Sequence, residues 1–450
     1  MKESQCSTLR AEQVWEELPE VLSHIVVPVF PECDFFAEDY GAVGDGITDC
    51  TEAFAKAMSA IHEAGGGRLV LKEGVYLTGA IHFQNNVNLH VMKGATLKFS
   101  QNSEKYLPMV LTRFEGVELY NYSPLIYAKD AINLAITGEG VLDGNADNTH
   151  WWPWKGKKEF GWKEGEPNQQ KDRDTLFSMA EQGIGVEDRK FGQGHYLRPN
   201  FIQFYQSKNI LIEGVTVKNS PMWQIAPVLS ENITVRNVKI IGHGPNTDGF
   251  DPESCKYVLI EKCYFDNGDD CIAIKSGRNA DGRRIGVPCS YIVIRNNEMK
   301  DGHGGITIGS EISGGVHHVY ADGNVMDSPN LDRALRFKTN SVRGGVIEYI
   351  YFCNTTIKSI GEEILIVDMD YEEGDAGAFT PVVRHILVDG LESHGGKTGF
   401  LFNAYDRTPI TDVQFINCSL YNVGQPCLLK NVKDLKFDHV LINGEISNLV

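Results

Sequence analysis

Short runs of alternating apolar residues recur along the second half of the chain. From about residue 200 onward these runs are rich in β-branched residues and broken by Asn, Gly or Asp: ILIEGVTV, ITVRNVKI, VLIEKCYF, IVIRNNEM, VYADGNVM, IYFCNTTI, ILVDGLES, VQFINCSL and LKFDHVLI. Their first residues are separated by 23, 25, 34, 27, 31, 36, 27 and 22 residues. Such alternation predicts short strands. The irregular spacing indicates a minimal coil of about 22 residues into which loops are inserted.

The repeat predicts an all-β solenoid in which every coil adds strands to parallel sheets. One coil cannot bury its own apolar face, whereas stacked coils pair their strands and enclose a continuous apolar interior. The runs are too short for ankyrin or tetratricopeptide helices, and they lack the regular leucines of leucine-rich repeats. A parallel β-helix remains, and we expect it to form a single domain over residues 1–450.

The N-terminal part of the chain carries weaker copies of the repeat and one helical segment. Copies such as GGRLVLKEGVYLTGAIHF predict that the solenoid starts near residue 66. The segment DCTEAFAKAMSAIHEAGGG predicts an amphipathic helix with Asp49 or Thr51 as its N-cap and Gly65 as its stop. We expect residues from about 1 to 65 to form an N-terminal extension whose helix caps the open end of the solenoid.

Two stretches interrupt the repeat and are predicted to be inserted loops near one face. The first, from about 145 to 197, is rich in Trp, Lys, Glu and Gly, and the second, from about 276 to 289, contains three arginines. Arg278, Arg283 and Arg284 either bind acidic groups of a ligand or form a charged turn in solvent.

Composition and charge narrow the range of partners. Apolar residues make up 42% of the chain, and the formal net charge is −18. This charge argues against binding to nucleic acid or to anionic lipid, although a few cations focused in a cleft can still bind an acidic substrate. No apolar run approaches the roughly 20 residues that span a bilayer, so no membrane insertion is expected. We expect a cytoplasmic protein if the chain is full length, and a periplasmic or extracellular one if it is processed.

Acidic residues cluster at two places about one coil apart. Asp248 lies in PNTDGFDPESC, and Asp269 and Asp270 lie in NGDDCIAIKSG, so 21 residues separate Asp248 from Asp269. At this spacing the side chains emerge next to each other on one face of a solenoid. Neighbouring carboxylates raise one another's pKa, so one of the three is expected to stay protonated. Hydrolysis of a glycosidic bond requires such a pairing of an acid with a base.

Basic residues follow on the next polar coils. His303 is flanked by glycines in DGHGGITIGSE, and Arg336 and Lys338 are two positions apart in RALRFKTN. Residues i and i+2 of a strand point to the same face, so the two cations can converge on one carboxylate. Each of these sites alone is more often structural, because such residues are common in turns and pair with nearby acids such as Asp332. Their joint occurrence at coil-like intervals favours a functional cluster.

These motifs resemble those of family 28 glycoside hydrolases, the polygalacturonases and their relatives. The series Asn246-Thr247-Asp248, Asp269-Asp270, Gly302-His303-Gly304 and Arg336-Phe337-Lys338 keeps the order of that family, and the resemblance extends from YGAVGDGITD to the C-terminus. It implies a single-stranded right-handed parallel β-helix of the pectin-lyase-like kind. It also implies hydrolysis of α-1,4-linked galacturonic acid in pectin or its oligosaccharides, with inversion of configuration.

The resemblance further implies a role for each motif. Asp269 would be the general acid, supported by His303, and Asp248 and Asp270 would position and deprotonate the attacking water. The implied substrate-binding residues are Asn246, Arg336, Lys338 and Tyr371. Two features depart from the usual pattern, namely Phe337 between the cations and the additional chain between Asp270 and His303. That insertion, together with GSEISGGV, resembles the exo-acting branch of the family.

Three other interpretations stay open. A pectate lyase shares the β-helix but eliminates with the help of calcium and a basic residue. A carbohydrate-binding β-helix without activity would not need the converging acids and cations. Within the family, hydrolysis of rhamnogalacturonan or another substituted pectin is the nearest alternative. Since the sequence contains no nucleotide, flavin or metal motif, we expect neither a cofactor nor a metal.

Overall fold

The computed structural model describes residues 11–447, with side chains from Val14 onward. Its strands form parallel sheets that run along a right-handed β-helix, which confirms the predicted fold. The N-terminal end of the predicted extension, residues 1–10, lies outside the described residues. None of the helices described between residues 11 and 447 combines the length and apolarity needed to cross a bilayer.

Three long ladders of strands make up the β-helix. The first sheet contains, in order, Asp34–Phe36, Gly67–Leu71, Val87–Val91, Ile132–Gly138, Lys208–Glu213, Glu231–Arg236, Lys256–Glu261, Cys289–Arg295, Val316–Asp322, Val346–Cys353, Val382–Asp389, Ile410–Ile416 and Val432–Asp438. The second contains Asp45–Asp49, Gly74–Thr78, Ala95–Phe99, Val141–Asp143, Thr216–Lys218, Lys239–Gly242, Tyr264–Asn267, Glu298–Met299, Val325–Asp327, Thr356–Ser359, Glu392–Ser393, Ser419–Leu420, Leu441–Ile442 and Glu445–Ile446.

The third sheet carries the polar motifs. Its strands are Ile81–His82, Ile126–Lys129, Ile202–Tyr205, Ile272–Ile274, Ile306–Gly309, Leu335–Lys338, Glu363–Asp368, Gly396–Asn403 and Val423–Lys430. Single bridges at Ile225 and Phe250 make this ladder continuous between Ile202 and Ile272. A hairpin of Val110–Phe114 and Val117–Asn121, extended by Lys190–Phe191, stands beside it.

The interior is a stack of aliphatic side chains aligned by the strand register. In the first sheet Ile210 pairs with Ile233, Ile233 with Val258, and Val258 with Ile292, and all four are buried. Burial of one such side chain stabilises the fold by about 1.5–3 kcal/mol. The Asn residues that break the apolar runs lie where the chain turns toward the second sheet. Asn237, for example, has φ +55°, a left-handed conformation that Asn tolerates better than β-branched residues do.

The helices cap and flank the solenoid. They are α1, Ala11–Ser23; α2, Thr51–Glu63; α3, Gln170–Glu181; and α4, Asn279–Ile285. Short 3₁₀ turns occupy Ala37–Tyr40, Ser103–Tyr106, Trp152–Lys155, Lys158–Phe160 and Val186–Asp188. Helix α2 buries Phe54, Ala57, Met58 and Ile61 in the main core, as its pattern predicted.

Two details of the N-terminal predictions were wrong. The ladder begins one coil earlier than residue 66, because Asp34–Phe36 pairs with Gly67–Leu71 and Asp45–Asp49 pairs with Gly74–Thr78. These first strands are short and polar, so they lack the alternation that marks the later coils. The N-cap position of α2 is Cys50, although the Asp49 carboxylate accepts a hydrogen bond of 2.9 Å from the Thr51 amide.

The two interruptions of the repeat are not plain loops. Residues 145–197 contain three 3₁₀ turns and α3, and residues 276–289 contain α4, which contacts α3. Both insertions, together with the hairpin 110–121, border the third sheet on the side where the polar motifs lie.

Candidate active site

Three carboxylates converge at one end of the strands of the third sheet. Ile225 pairs with Phe250, Phe250 with Ile272, and Ile272 with Ile306, so the turns that precede these positions are stacked one coil apart. As a result Asp248, Asp269 and Asp270 each bring a carboxylate oxygen within 4.8 Å of the other two. The coil spacing in the sequence had predicted this convergence.

Asp270 is fully buried and held by cations. Its Oδ2 accepts a hydrogen bond of 2.7 Å from Lys338 Nζ, and its Oδ1 accepts one of 3.3 Å from Arg336 and one of 3.0 Å from Thr307. Burial by itself would raise the pKa of Asp270, but Lys338 and Arg336 outweigh it and the pKa is lowered. Asp270 is therefore ionised at neutral pH.

The strand Leu335–Lys338 aims its two cations at the cleft because Phe337 points the other way. Phe337 is buried in the core and packs edge-on against Phe352, with 6.1 Å between the ring centroids. Arg336 and Lys338 each lie 5.5 Å from the centre of the Tyr371 ring. The cations do not pair with Asp332, whose partner is Arg333 at 3.6 Å.

Asp269 is paired with the histidine of the next polar coil. His303 Nδ1 lies 3.0 Å from Asp269 Oδ1, and the Asn246 amide donates to Asp269 Oδ2 at 3.4 Å. Although burial raises the pKa of Asp269, the hydrogen bond from His303 and the nearby lysines lower it well below its usual range. The same hydrogen bond raises the pKa of His303. The proton shared by this pair therefore resides on the imidazole.

Asp248 differs from the other two carboxylates. Burial raises its pKa well above the usual range, and Asp251 and Asp269 raise it further. Its Oδ1 has no hydrogen-bond partner among the residues of the described chain. The triad thus combines a carboxyl group that retains its proton with an ionised one, which is the asymmetry predicted for closely spaced acids.

The glycines of the GHG motif allow neighbouring coils to approach each other closely at the active site. A Cβ atom at Gly304 would lie 2.2 Å from Thr307 Oγ1 and 2.7 Å from Asp270 Oδ1. A side chain here would displace Asp270 from its hydrogen bonds, so Gly304 helps to position this carboxylate.

Sequence reasoning missed several charged residues around the triad. Lys275 is buried and binds Glu311 at 3.1 Å and the carbonyl oxygen of Gly309 at 3.2 Å. It also lies 3.8 Å from Asp251, which is fully buried. Asp251 stands three positions after Asp248 in the same polar segment, which was the one available signal for it.

One side of the cleft is closed by ion pairs from the insertions. Arg278 contacts Glu311 at 3.2 Å and Glu373 at 3.1 Å, and Arg173 of α3 contacts Glu115 of the hairpin at 2.7 Å. The other two arginines of the second insertion do not line the cleft. Arg284 pairs with Glu118 and Asp281, and Arg283 donates to backbone carbonyls and lies over Phe379.

The resulting cavity has a volume of about 250 Å³. It is lined by Glu115, Lys155, Arg173, Trp223, Asn246, Asp248, Asp269, Lys275, Arg278, His303, Ser310, Glu311, Arg336, Lys338, Tyr371 and Glu372. Larger hollows of about 650 and 770 Å³ lie beside Trp154 and Pro31, away from the triad. Because the small cavity holds the converging acids and cations, it is the candidate active site.

Comparisons with known proteins agree with the fold and with the family that the motifs resemble. Residues 186–436 match the model of glycosyl hydrolases family 28. A probable polygalacturonase of Vitis vinifera is 31% identical over 334 residues, which are 72% of this chain and 60% of that protein. An exo-poly-alpha-D-galacturonosidase of Dickeya chrysanthemi is 26% identical, over 90% of this chain and 70% of that one. The chain belongs to family 28 of the glycosyl hydrolases, as its motifs predicted.

One solved structure has a higher sequence identity to this chain than these two relatives do. The hyperthermoactive exopolygalacturonase of Thermotoga maritima superimposes with a TM-score of 0.93 at 51% identity, covering 97% of this chain and 96% of that one. The matched region is about 60% of the length of the Vitis relative, whereas it is nearly the whole of the Thermotoga chain.

Proposed function

We propose that this protein hydrolyses α-1,4-linked galacturonan from a chain end and releases galacturonic acid. The observation that carries the proposal is the buried triad of carboxylates beside Arg336, Lys338 and Tyr371. Acids of unequal pKa supply proton transfer, and the adjacent cations select a substrate that carries its own carboxylate.

Asp269 is the proposed general acid, and His303 supplies its proton. The leaving oxygen of a glycosidic bond requires a proton as the bond breaks. The pair held at 3.0 Å can deliver this proton by passing it from the protonated imidazole through the Asp269 carboxyl group to the leaving oxygen, which leaves His303 neutral and Asp269 ionised. Asp248 and Asp270 flank the attacking water, and Asp270, kept ionised by Lys338, takes the proton from it.

The cations can bind a substrate without releasing Asp270. Lys338 uses one of its three N–H donors and Arg336 one of its five in binding Asp270. The remaining donors have no other hydrogen-bond partner among residues 14–447 and can face a uronate carboxylate, and the Tyr371 ring beside them offers an apolar surface to a sugar ring. This arrangement favours galacturonate over neutral galactose.

The exo-acting mode is supported by the closed side of the cavity. Ion pairs join the hairpin, α3, the second insertion and Glu373 beside the triad, so the cavity is closed on that side. A cavity closed on one side accepts the end of a polymer. The relatives from Dickeya and Thermotoga that are named as exo-acting support the same mode.

A time course on de-esterified polygalacturonate with a chelator tests this function. We expect saturated galacturonic acid from the earliest points, with no ladder of oligomers. A ladder would show an endo-acting enzyme, and unsaturated ends that appear only with calcium would show a lyase. If no product forms, rhamnogalacturonan and substituted pectins are the next substrates to test.

The stereochemistry of hydrolysis provides a separate test of the proposed mechanism. One oxygen of each carboxyl group lies within 4.8 Å of the other two, whereas the two catalytic carboxyl groups of inverting enzymes are typically ~6.5–9.5 Å apart. We nevertheless propose inversion, because the site has two carboxylates beside Asp269 and these can hold a water between them. Proton NMR of early products should then show the β-anomer first. Initial release of the α-anomer would instead indicate a covalent intermediate on one of the three aspartates.

A further inference from the structure

One cation of the cavity differs from the others in its partners. Most of the lysines and arginines that line the cavity contact a carboxylate within 4.0 Å: Arg173 contacts Glu115, Lys275 and Arg278 contact Glu311, and Arg336 and Lys338 contact Asp270. Lys155 has no acidic group within this distance among the residues whose side chains are described, 14–447.

Lys155 binds a neutral oxygen that it shares with a second cation. Its Nζ donates to Asn246 Oδ1 at 2.8 Å, and Arg198 Nη2 donates to the same oxygen at 2.8 Å. Arg198 is only 1% exposed, and its other donors go to Gln169 Oε1 and to the carbonyl oxygens of Pro221 and Pro245. Within the described chain, Arg198 also has no carboxylate within 4.0 Å.

Two adjacent cations without a counter-ion are unfavourable in a partly buried site. Burial lowers the pKa of Lys155, and Arg198 lowers it further, while Glu115 and Asp269 counter this only from beyond 4.0 Å. Burial also lowers the pKa of Arg198 to about 10. An anion bound to Lys155 would relieve this repulsion between the two cations. In a galacturonan, each sugar unit carries a carboxylate that can serve as this anion.

The position of Lys155 separates it from the other carboxylate-binding cations. Asn246 belongs to the coil before Asp269, whereas Arg336 and Lys338 belong to the second coil after it. Strands in a sheet are about 4.8 Å apart, so three coils place the two groups roughly 14 Å apart along the solenoid at the level of the backbone. Asp269 and Asp270 lie between them, and Asp248 shares the coil of Asn246.

We propose that Lys155, supported by Arg198, binds the carboxylate of the uronate on the Asn246 side of the scissile bond. Arg336 and Lys338 then bind the uronate on the other side, so that the enzyme requires an unesterified carboxylate on both sugars. This inference rests on the proposed galacturonan hydrolysis and adds to it a specificity-determining residue from the Trp-rich insertion.

The test compares digalacturonate with its two monomethyl esters, each esterified on one ring. The variants are Lys155→Met, Lys155→Arg and Lys338→Met, with Lys158→Met as a control on an exposed lysine of the same insertion. For Lys155→Met we expect kcat/KM on digalacturonate to fall about 10- to 100-fold, the loss of one charge-assisted contact. Lys155→Met should also stop discriminating against the ester on the ring at the Asn246 side, and should still discriminate against the ester on the other ring. Lys338→Met should lose discrimination on the other ring, Lys155→Arg should retain it, and Lys158→Met should behave as wild type.

Several outcomes would overturn the inference. One is an equal loss by Lys155→Met on all three substrates, which would mean that Lys155 only holds Asn246 in place. Another is loss of discrimination on the same ring in Lys155→Met and Lys338→Met. If the wild type hydrolyses none of the three, the proposed function fails, and calorimetry of digalacturonate binding to Asp269→Asn with and without Lys155→Met decides the inference separately. Equal affinity of these two proteins would refute it.

Discussion

The stacked coils and the inserted segments build different parts of the active site. The coils supply the proposed catalytic aspartates, His303 and the two cations of the strand Leu335–Lys338, all fixed by the parallel register. The insertions and the hairpin supply Lys155, Arg173, Arg278 and Glu115, which close the pocket around them. The repeat therefore places the acids and one pair of substrate-binding cations, and the segments that interrupt it close the pocket and add further charged residues.

The coils and the inserted segments also differ in the interactions that stabilise them. The coils are fixed by backbone ladders and by an interior of buried aliphatic side chains. The walls are fixed by a separate apolar cluster, which includes Leu119 of the hairpin and Leu176 of α3, and by buried ion pairs such as Arg278 with Glu311. Removal of one partner of a buried pair costs more than the pair itself contributes, because the remaining charge is left uncompensated. Changes to the carboxyl groups of the triad should therefore reduce turnover with the fold intact, whereas changes to the ion-paired residues of the walls should alter stability or the products.

The largest effect is expected from Asp269→Asn in the coils. An amide cannot donate the proton that the leaving oxygen needs, and loss of a general acid costs about 10²- to 10⁴-fold in rate. We expect kcat on polygalacturonate to fall by this factor, while the melting temperature stays close to that of the wild type. Asp266→Asn, three positions earlier in the same coil, is the control, since Asp266 contacts His243 outside the cavity. Activity of Asp269→Asn within tenfold of wild type would exclude it as the acid.

Lys275→Met tests the junction between the coils and the wall. This buried lysine binds Glu311 and lies 3.8 Å from Asp251, so its loss leaves Asp251 without a cation within 4.0 Å among the described residues and leaves Glu311 with Arg278 as its cation. We expect the free energy of unfolding to fall by about 3–5 kcal/mol, measured by denaturant titration. The control Lys208→Met removes an exposed lysine paired with Glu231 and should cost less than about 1 kcal/mol. Equal costs for both variants would contradict the proposed importance of the buried network.

Arg278→Met should change the products more than the rate. Arg278 joins the second insertion to Glu311 and Glu373 and packs on the Phe177 ring, 4.3 Å from its centre. Its loss should loosen the closed side of the pocket, so we expect digalacturonate among the early products and only a several-fold fall in the release of monomer, as resolved by chromatography. Arg284→Met in the same insertion points away from the cavity and should still release the monomer alone. A monomer-only pattern in both variants would place the end of the pocket elsewhere.

The same contrast explains what could be predicted from the sequence. Asp248, Asp269, His303 and the two cations were found because a regular coil converts sequence spacing into proximity. Lys155 and Glu115 were not, because the conformation of an insertion depends on tertiary contacts that leave no periodic pattern. The polar first coil was missed for a related reason, since Asp34–Phe36 and Asp45–Asp49 lack alternating apolar residues. Phe337, a departure from the family pattern, proved to be a core residue that aims its neighbours outward.

The smallest expected effect concerns pH and the His303–Asp269 pair. Its hydrogen bond raises the pKa of His303 above the ordinary value of about 6.5, so protonated His303 persists to higher pH in the folded protein than in the unfolded chain. The pair thus supports the acid below the raised pKa and ceases to do so as the pH rises through it. We expect kcat/KM to have an alkaline limb above pH 6.5 or so, and His303→Gln to lower activity several-fold and shift this limb. Because the His303 side chain is 53% exposed, its titration should change unfolding stability little. An unchanged alkaline limb in His303→Gln would assign the limb to the carboxylates alone.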